Sequence, residues 1–299
     1  MEDFLQFVLS GIALGFKYAL VALGFVVIFK ATSVINFAQG GFVMLGAYFT
    51  YNFGTTWGLP FWVAVIMAMV ATGLVGMVLE RLVLRRMVGQ PPFALIMITV
   101  GLLFVIQEVV TTIWGFDNLN LGDPWGVDVV DIGPLVITVA DLWTIGLGLV
   151  VVAAFFAFFR YSKLGLAMRA TALDQEAALA QGMSAKRVWA ISWAIAGAVA
   201  ALAGVTIASG AGQLSPQVQF IALLAFPAII LGGIDSPGGA IVGGVIIGVA
   251  QTLTAGYQND VGLSWLGDGF QSVVPYVVML VILLVRPYGL FGTKEVKRV

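Results

Sequence analysis

The sequence predicts an all-α integral membrane protein, a polytopic bundle of about eight or nine spans with the N-terminus outside and the C-terminus inside. Three observations predict it. Apolar residues make up 61% of the 299-residue chain and charged residues 10%, against roughly 45 to 50% and about 25% in soluble domains. The apolar residues gather into runs at or near the length of a bilayer crossing. The charges between those runs are segregated by sign, which sets the orientation. A mean hydropathy of +1.05 and 37 glycines agree, since small residues let membrane helices approach closely.

Taken in order, the apolar runs fall at 4–29, 34–53, 61–79, 93–115, 142–159, 188–209, 218–234, 239–256 and 270–285. The first begins after Glu2 and Asp3, where a secretory signal would carry positive charge, and it is too long for a signal's apolar core, so it is expected to remain as a span. The loop 80–92 carries Arg81, Arg85 and Arg86, and the tail carries Arg286, Lys294, Lys297 and Arg298. Loop 116–141 holds Asp117, Asp123, Asp128, Asp131 and Asp141 and no base. Basic loops inside and the acidic loop outside satisfy the crossing parity. The pairs 34–53 with 61–79 and 218–234 with 239–256 read equally as full spans or as re-entrant hairpins, because either choice preserves parity.

The longest polar interval is 160–187, with Arg160, Lys163, Arg169, Lys186 and Arg187 against Asp174 and Glu176. It is expected to be a cytoplasmic loop, so that 1–299 forms one transmembrane domain with this loop inside and 116–141 outside. Composition also excludes whole classes of function. A net charge of −1, with no basic face outside the loops, argues against nucleic acid as a partner. The absence of His and Cys removes imidazole bases, thiolates and the commonest zinc and copper ligands. The aspartates of 116–141 do not match a calcium-loop spacing, so no metal is expected there. No cofactor is implied, and no constellation of carboxylates suggests an enzyme.

Two glycine-rich stretches interrupt the runs, Asn36 to Gly46 and Leu231 to Gly248. Broken helices in corresponding halves of a transporter point to its pathway, which makes Asn36, Gln39, Gly40, Gly232 and Gly233 pathway candidates. The spacings Gly239 to Gly243 and Gly244 to Gly248 fit close helix packing as well. Within the fourth run lie Gln107 and Glu108, also pathway candidates, because a carboxylate there costs roughly 2.5–3.5 kcal/mol unless protein or water faces it. Lys17, midway along the first run, either pairs with Glu108 or extends along its stem to an interface. Asp235 reads as a turn residue.

Three stretches together resemble the permease subunits of ATP-binding-cassette importers for branched-chain amino acids and related amides. They are Y-A-L-V-A-L-G-F (Tyr18 to Phe25) with V-I-N-F-A-Q-G-G-F-V-M-L-G-A-Y (Val34 to Tyr48), the central loop running into the sixth span, and L-G-G-I-D-S-P-G-G-A (Leu231 to Ala240). The resemblance implies that the central loop is the segment that docks into a cytoplasmic ATPase. Asp174, Glu176, Ala177, Ala178 and Gly182 stand in its E-A-A-x-x-x-G region. An ordinary amphipathic cytoplasmic loop is the plainer alternative for that segment. The sequence departs from the family's commonest pattern at Gly41, where an acid is frequent, at Asp235, where Gly is common, and at Lys17, where a small or apolar residue is usual.

The chain has no G-x-x-x-x-G-K-[ST] loop for ATP phosphates. The resemblance therefore implies separate ATPase subunits, a second permease, often a distinct paralogue, and an extracytoplasmic solute-binding protein. The expected setting is the bacterial inner membrane, crossed many times. The expected solutes are branched-chain amino acids, with urea or short amides as the alternative within the family. An ion-coupled secondary transporter using Glu108 and Lys17 is the alternative from another class.

Overall fold

A computed structural model describes all residues except 88–89, 174–180, 182–183, 211, 268 and 293–299. Among the described residues there are ten α-helices, α1 Glu2–Thr32, α2 Gln39–Tyr51, α3 Phe61–Leu82, α4 Pro92–Trp114, α5 Val139–Tyr161, α6 Lys163–Leu173, α7 Ala185–Ala208, α8 Ile221–Gly232, α9 Pro237–Tyr257 and α10 Val274–Val285. Six of them are long and apolar enough to cross a membrane: α1, α3, α4, α5, α7 and α9. In each of the two suspected hairpins one member is such a helix. The other is short: α2 has 13 residues and continues through a π-helical turn, Asn52–Thr56, and α8 has 12 residues and is preceded by a 3₁₀ turn, Pro216–Phe220.

Helix α1 is the axis of the bundle. It packs most extensively on α9 and also meets α5, α7 and α8. The seam with α9 is made of glycine. A Cβ on Gly15 would lie 2.6 Å from the Cα of Val245, and one on Gly244 would lie 2.7 Å from the carbonyl oxygen of Gly15. On the adjoining face of α9, Gly239 and Gly243 touch the backbone of Gly232 and Ala228 in α8. Both small-x-x-x-small spacings of α9 are thus packing seams, one toward each neighbour. Helix α7 meets α3 by the same device, with Gly197 against Thr72 and Gly76 against the carbonyl oxygen of Trp193.

Large apolar side chains cover the outside. Ile66, Val70, Leu74 and Val78 of α3, Leu149 and Val150 of α5, and Leu280, Val281 and Leu284 of α10 are all exposed, as expected where the solvent is hydrocarbon. The acidic loop contains an antiparallel hairpin, β1 Val129–Ile132 paired with β2 Leu135–Thr138. Gly133, at φ 63, supplies the positive φ that the tight turn requires. The hairpin is strapped to α1, where the Gln6 amide donates to the Val136 carbonyl at 2.7 Å and accepts from its N–H at 2.9 Å. Leu119 and Leu214 exchange two backbone hydrogen bonds that join this loop to the segment after α7. Nearby, Phe61, Trp62, Trp125 and Trp143 form one aromatic cluster, the residue types enriched where a membrane meets water.

Two ion pairs bear on the sequence reading, and Lys17 takes the second of its two expected alternatives. The ammonium of Lys17 lies 3.0 Å from Asp141 at the start of α5, and not at Glu108. In a helix the Cβ bonds tilt toward the N-terminus, so Lys17 reaches back toward the acidic loop. At the opposite end, Glu80 is fully buried and is held by Arg85 through contacts of 3.2 and 2.7 Å. Arg85 also donates to the Lys186 carbonyl at 3.3 Å. Glu80, expected in the loop, instead lies in α3, which runs on to Leu82, whereas Arg85 sits in the 3₁₀ turn Leu84–Met87 beyond it.

Candidate translocation site

The short helices α2 and α8 begin at broken backbone, and those beginnings meet. Helix α1 stops at Ser33, whose left-handed φ of 56 ends the helix while its N–H caps the Phe29 carbonyl. The next residues turn back through irregular backbone that the protein itself satisfies. The Asn36 side-chain oxygen accepts from the Ala38 N–H at 3.1 Å, and the Thr99 hydroxyl of α4 accepts from the Phe37 N–H at 3.1 Å. Such backbone is tolerated at membrane depth only where protein or a cavity covers it. Helix α2 then starts at Gln39 with no side-chain cap.

Two glycines permit this geometry. Gly24 of α1 leaves the space that the Gln39 amide occupies, and Gly40 lets the first turn of α2 rest on the backbone carbonyl of Gln219. Gln219 belongs to the 3₁₀ turn that opens α8. Beside the junction is a cavity of about 50 Å³ lined by Phe25, Phe37, Gly40, Leu103, Gln219, Phe220, Ala222, Leu223 and Phe226. Its aromatic wall is continuous, with Phe226 5.7 Å from Phe37 and 6.1 Å from Phe25. Leu103 is the midpoint of α4, so the cavity lies level with the middle of that helix.

The polar inventory of this region is uncharged and incompletely paired. Asn36, Gln39 and Gln219 are buried, yet among the described residues the amide nitrogen of Asn36, both polar atoms of the Gln39 amide and the oxygen of Gln219 have no hydrogen-bond partner. Leaving such a group unpaired costs about 1–3 kcal/mol. A site that keeps several of them has donors and acceptors free to hold a passing polar solute briefly, without a fixed charge that would trap it.

The sequence-predicted residues divide accordingly. Asn36, Gln39 and Gly40 come together, joined by Gln219, which the sequence reading missed. The signal was present as Ser215-Pro216-Gln217, a turn opening an apolar run, and as Pro227 within that run. Gly232 and Gly233 lie elsewhere, in a tight joint where Gly232 meets Gly239 and Gly233 meets Gly292, and where Leu290 and Phe291 donate to the Leu231 and Gly232 carbonyls. Gly41 faces Ile106 of α4, which would stand 3.2 Å from a Cβ there. Gln107 is half-buried on α4, and Glu108 points away from the rest of the chain. Asp235 sits in the turn between α8 and α9. Asp174, Glu176, Ala177, Ala178 and Gly182 lie outside the described residues.

The sequence is similar to known proteins along nearly its whole length. Residues 7–283 match the profile described as "branched-chain amino acid transport system / permease component". The chain is 31% identical to the high-affinity branched-chain amino acid transport system permease protein LivH of Salmonella typhimurium, covering 99% of this chain and 98% of that one. It is 28% identical to BraD, the corresponding permease protein of Pseudomonas aeruginosa, over 99% and 98% of the two chains. It is also 26% identical to the Escherichia coli permease protein LivM, covering 91% of this chain and 67% of that one.

Proposed function

The chain belongs to the family of permease components of branched-chain amino acid transport systems, and from that premise we propose that it is the membrane subunit through which an ATP-driven importer passes branched-chain amino acids inward across the cytoplasmic membrane. The observation that carries this reading is a family match spanning nearly the whole chain, on a bundle whose two short helices begin at a buried, unpaired amide cluster.

The division of labour follows from what the chain contains. It is a transport subunit and makes or breaks no bond of the solute. The loop containing Asp174, Glu176, Ala177, Ala178 and Gly182 docks into a cytoplasmic ATPase, and a solute-binding protein delivers the amino acid from outside. A second permease completes the path. Within this subunit Asn36, Gln39, Gly40 and Gln219 form the narrow point. Their amides exchange hydrogen bonds with the ammonium and carboxylate of the solute, and the phenylalanine wall accepts its aliphatic side chain. ATP-driven movement of the docking loops alters how α2 and α8 meet, which opens the junction in turn to each side.

The test is reconstitution. The tagged chain is purified with whatever remains bound, placed in liposomes with the cognate binding protein inside or outside, and supplied with labelled leucine and ATP. ATP-dependent uptake that needs the binding protein supports the reading. Uptake by the chain alone, driven by an ion gradient, overturns it.

A further inference from the structure

We propose that the outward face of α4 centred on Glu108 is the surface on which the second permease subunit docks, and that the partner presents a membrane helix with a cation or hydrogen-bond donor to the Glu108 carboxylate. The inference rests on the permease reading above and goes beyond it by assigning the face.

Glu108 lies five residues from the midpoint of α4, about 7.5 Å along the axis at 1.5 Å per residue. That is well inside a hydrocarbon half-thickness of about 15 Å. Its side chain is exposed, flanked by the exposed Phe104, Val105 and Val109. Among the described residues no ion pair is made to it, and the nearest hydrogen bond at this position uses its backbone carbonyl, which accepts from Thr111. A carboxylate so placed faces protein or water in a stable membrane protein, because lipid cannot solvate it.

The other outward stripes show what a lipid-facing surface looks like in this chain. Those of α3 from Phe61 to Leu79, α5 from Leu142 to Phe159 and α10 from Val274 to Val285 carry no charged residue. Along α4 the exposed positions Gly101, Val105, Glu108 and Thr112 recur at intervals of four, three and four, which places them on one helix face. A Cβ on Gly101 would meet nothing within 4 Å, so this face offers a shallow notch for close approach two turns from the carboxylate. A small residue, a carboxylate and a hydroxyl in one stripe are the features by which membrane helices associate, through close packing and interhelical hydrogen bonds. The charge selects the occupant. A second copy of this chain related by a twofold axis would bring two like carboxylates to the same depth, whereas a different permease can supply the complementary donor.

The chain has no native cysteine, so single-cysteine variants report cleanly. In the assembled transporter, Val105→Cys and Val109→Cys are labelled with a photoactivatable maleimide and compared with Val70→Cys on α3 and Leu280→Cys on α10. Cross-linking of the two α4 variants to the second permease, identified by mass, supports the proposal. Cross-linking from α3 or α10 instead, from α4 to a second copy of this chain, or from α4 to lipid alone overturns it while leaving the permease reading intact. Failure of any second permease to co-purify with the unmodified chain refutes that reading as well. Independently, Glu108→Leu weakens retention of the second permease roughly three- to tenfold, as expected for loss of one interhelical hydrogen bond, and Glu108→Gln restores most of it. Unchanged retention in Glu108→Leu overturns the pairing.

Discussion

Replacing Arg85 by Met tests how the end of the bundle opposite the acidic loop is held. Glu80 is fully enclosed, and its carboxylate takes both of its described contacts from the guanidinium of Arg85. Removing the cation leaves an uncompensated buried charge, which destabilises by about 3–5 kcal/mol. The same guanidinium donates to the Lys186 carbonyl, so the loss also frees the start of α7 from the end of α3. Replacing both residues by Met removes the charge that needed a partner, and buried pairs exchanged for apolar residues of similar volume are often neutral. The double variant therefore unfolds close to wild type, and the coupling in the cycle exceeds about 1 kcal/mol. Equilibrium unfolding in detergent micelles, followed by tryptophan fluorescence, measures all four corners. An Arg85→Met variant within about 0.5 kcal/mol of wild type, the range of an ordinary surface substitution, would refute the account of the pair as a buried clamp.

Gly15→Leu places a side chain where Val245 of α9 already stands 2.6 Å from a Cβ, and the overpacking lowers stability by at least about 1–3 kcal/mol, read as a fall in unfolding temperature. Gln219→Leu removes an unpaired buried acceptor, so the variant gains stability by up to about 1–3 kcal/mol while leucine uptake falls; unchanged uptake would separate Gln219 from the path. Lys17→Met unpairs Asp141 in a pair whose side chains are 21% and 24% exposed, and screening limits the loss to about 1 kcal/mol, with a smaller difference from wild type in high salt. Gln6→Ala removes both hydrogen bonds to Val136, and faster amide exchange over 129–138 with unchanged exchange in α9 is the expected signature.

Much of the bundle was legible because hydropathy is a local property. The runs at 93–115, 142–159 and 188–209 correspond to α4, α5 and α7 within a few residues, since a single apolar run of that length satisfies its own backbone in lipid only as a helix. What stayed hidden depended on partners distant in sequence. Glu80 read as loop because an acid beside three arginines signals the membrane edge, while its burial depends on Arg85 folding back past the end of α3. Lys17 and Glu108 were the two charges visible inside apolar runs, but the tilt of the Cβ bond sends Lys17 toward the acidic loop, where Asp141 waits 124 residues away. The hairpin was hidden among aspartates, which are poor strand formers; its apolar residues and the two bonds from Gln6 override that preference. Asn36, Gln39 and Gly40 were legible as a broken helix, whereas Gln219 needed the chain to bring α8 to α2.

The position of α1 at the axis has a consequence for the order of assembly. It leaves the ribosome well before α9, yet 78% of its most apolar stretch is enclosed, against 22% for α4 or α5, and much of the enclosure comes from α9. The hydroxyl of Tyr18 meets the Gln251 amide across 233 residues of chain. At synthesis rates of about 5–20 residues per second, α1 spends roughly 10–50 s in the bilayer with its glycine seam open before the helix that closes it exists. A chain interrupted anywhere before α9 therefore leaves Gly11 and Gly15 of α1 without the helix that packs against them.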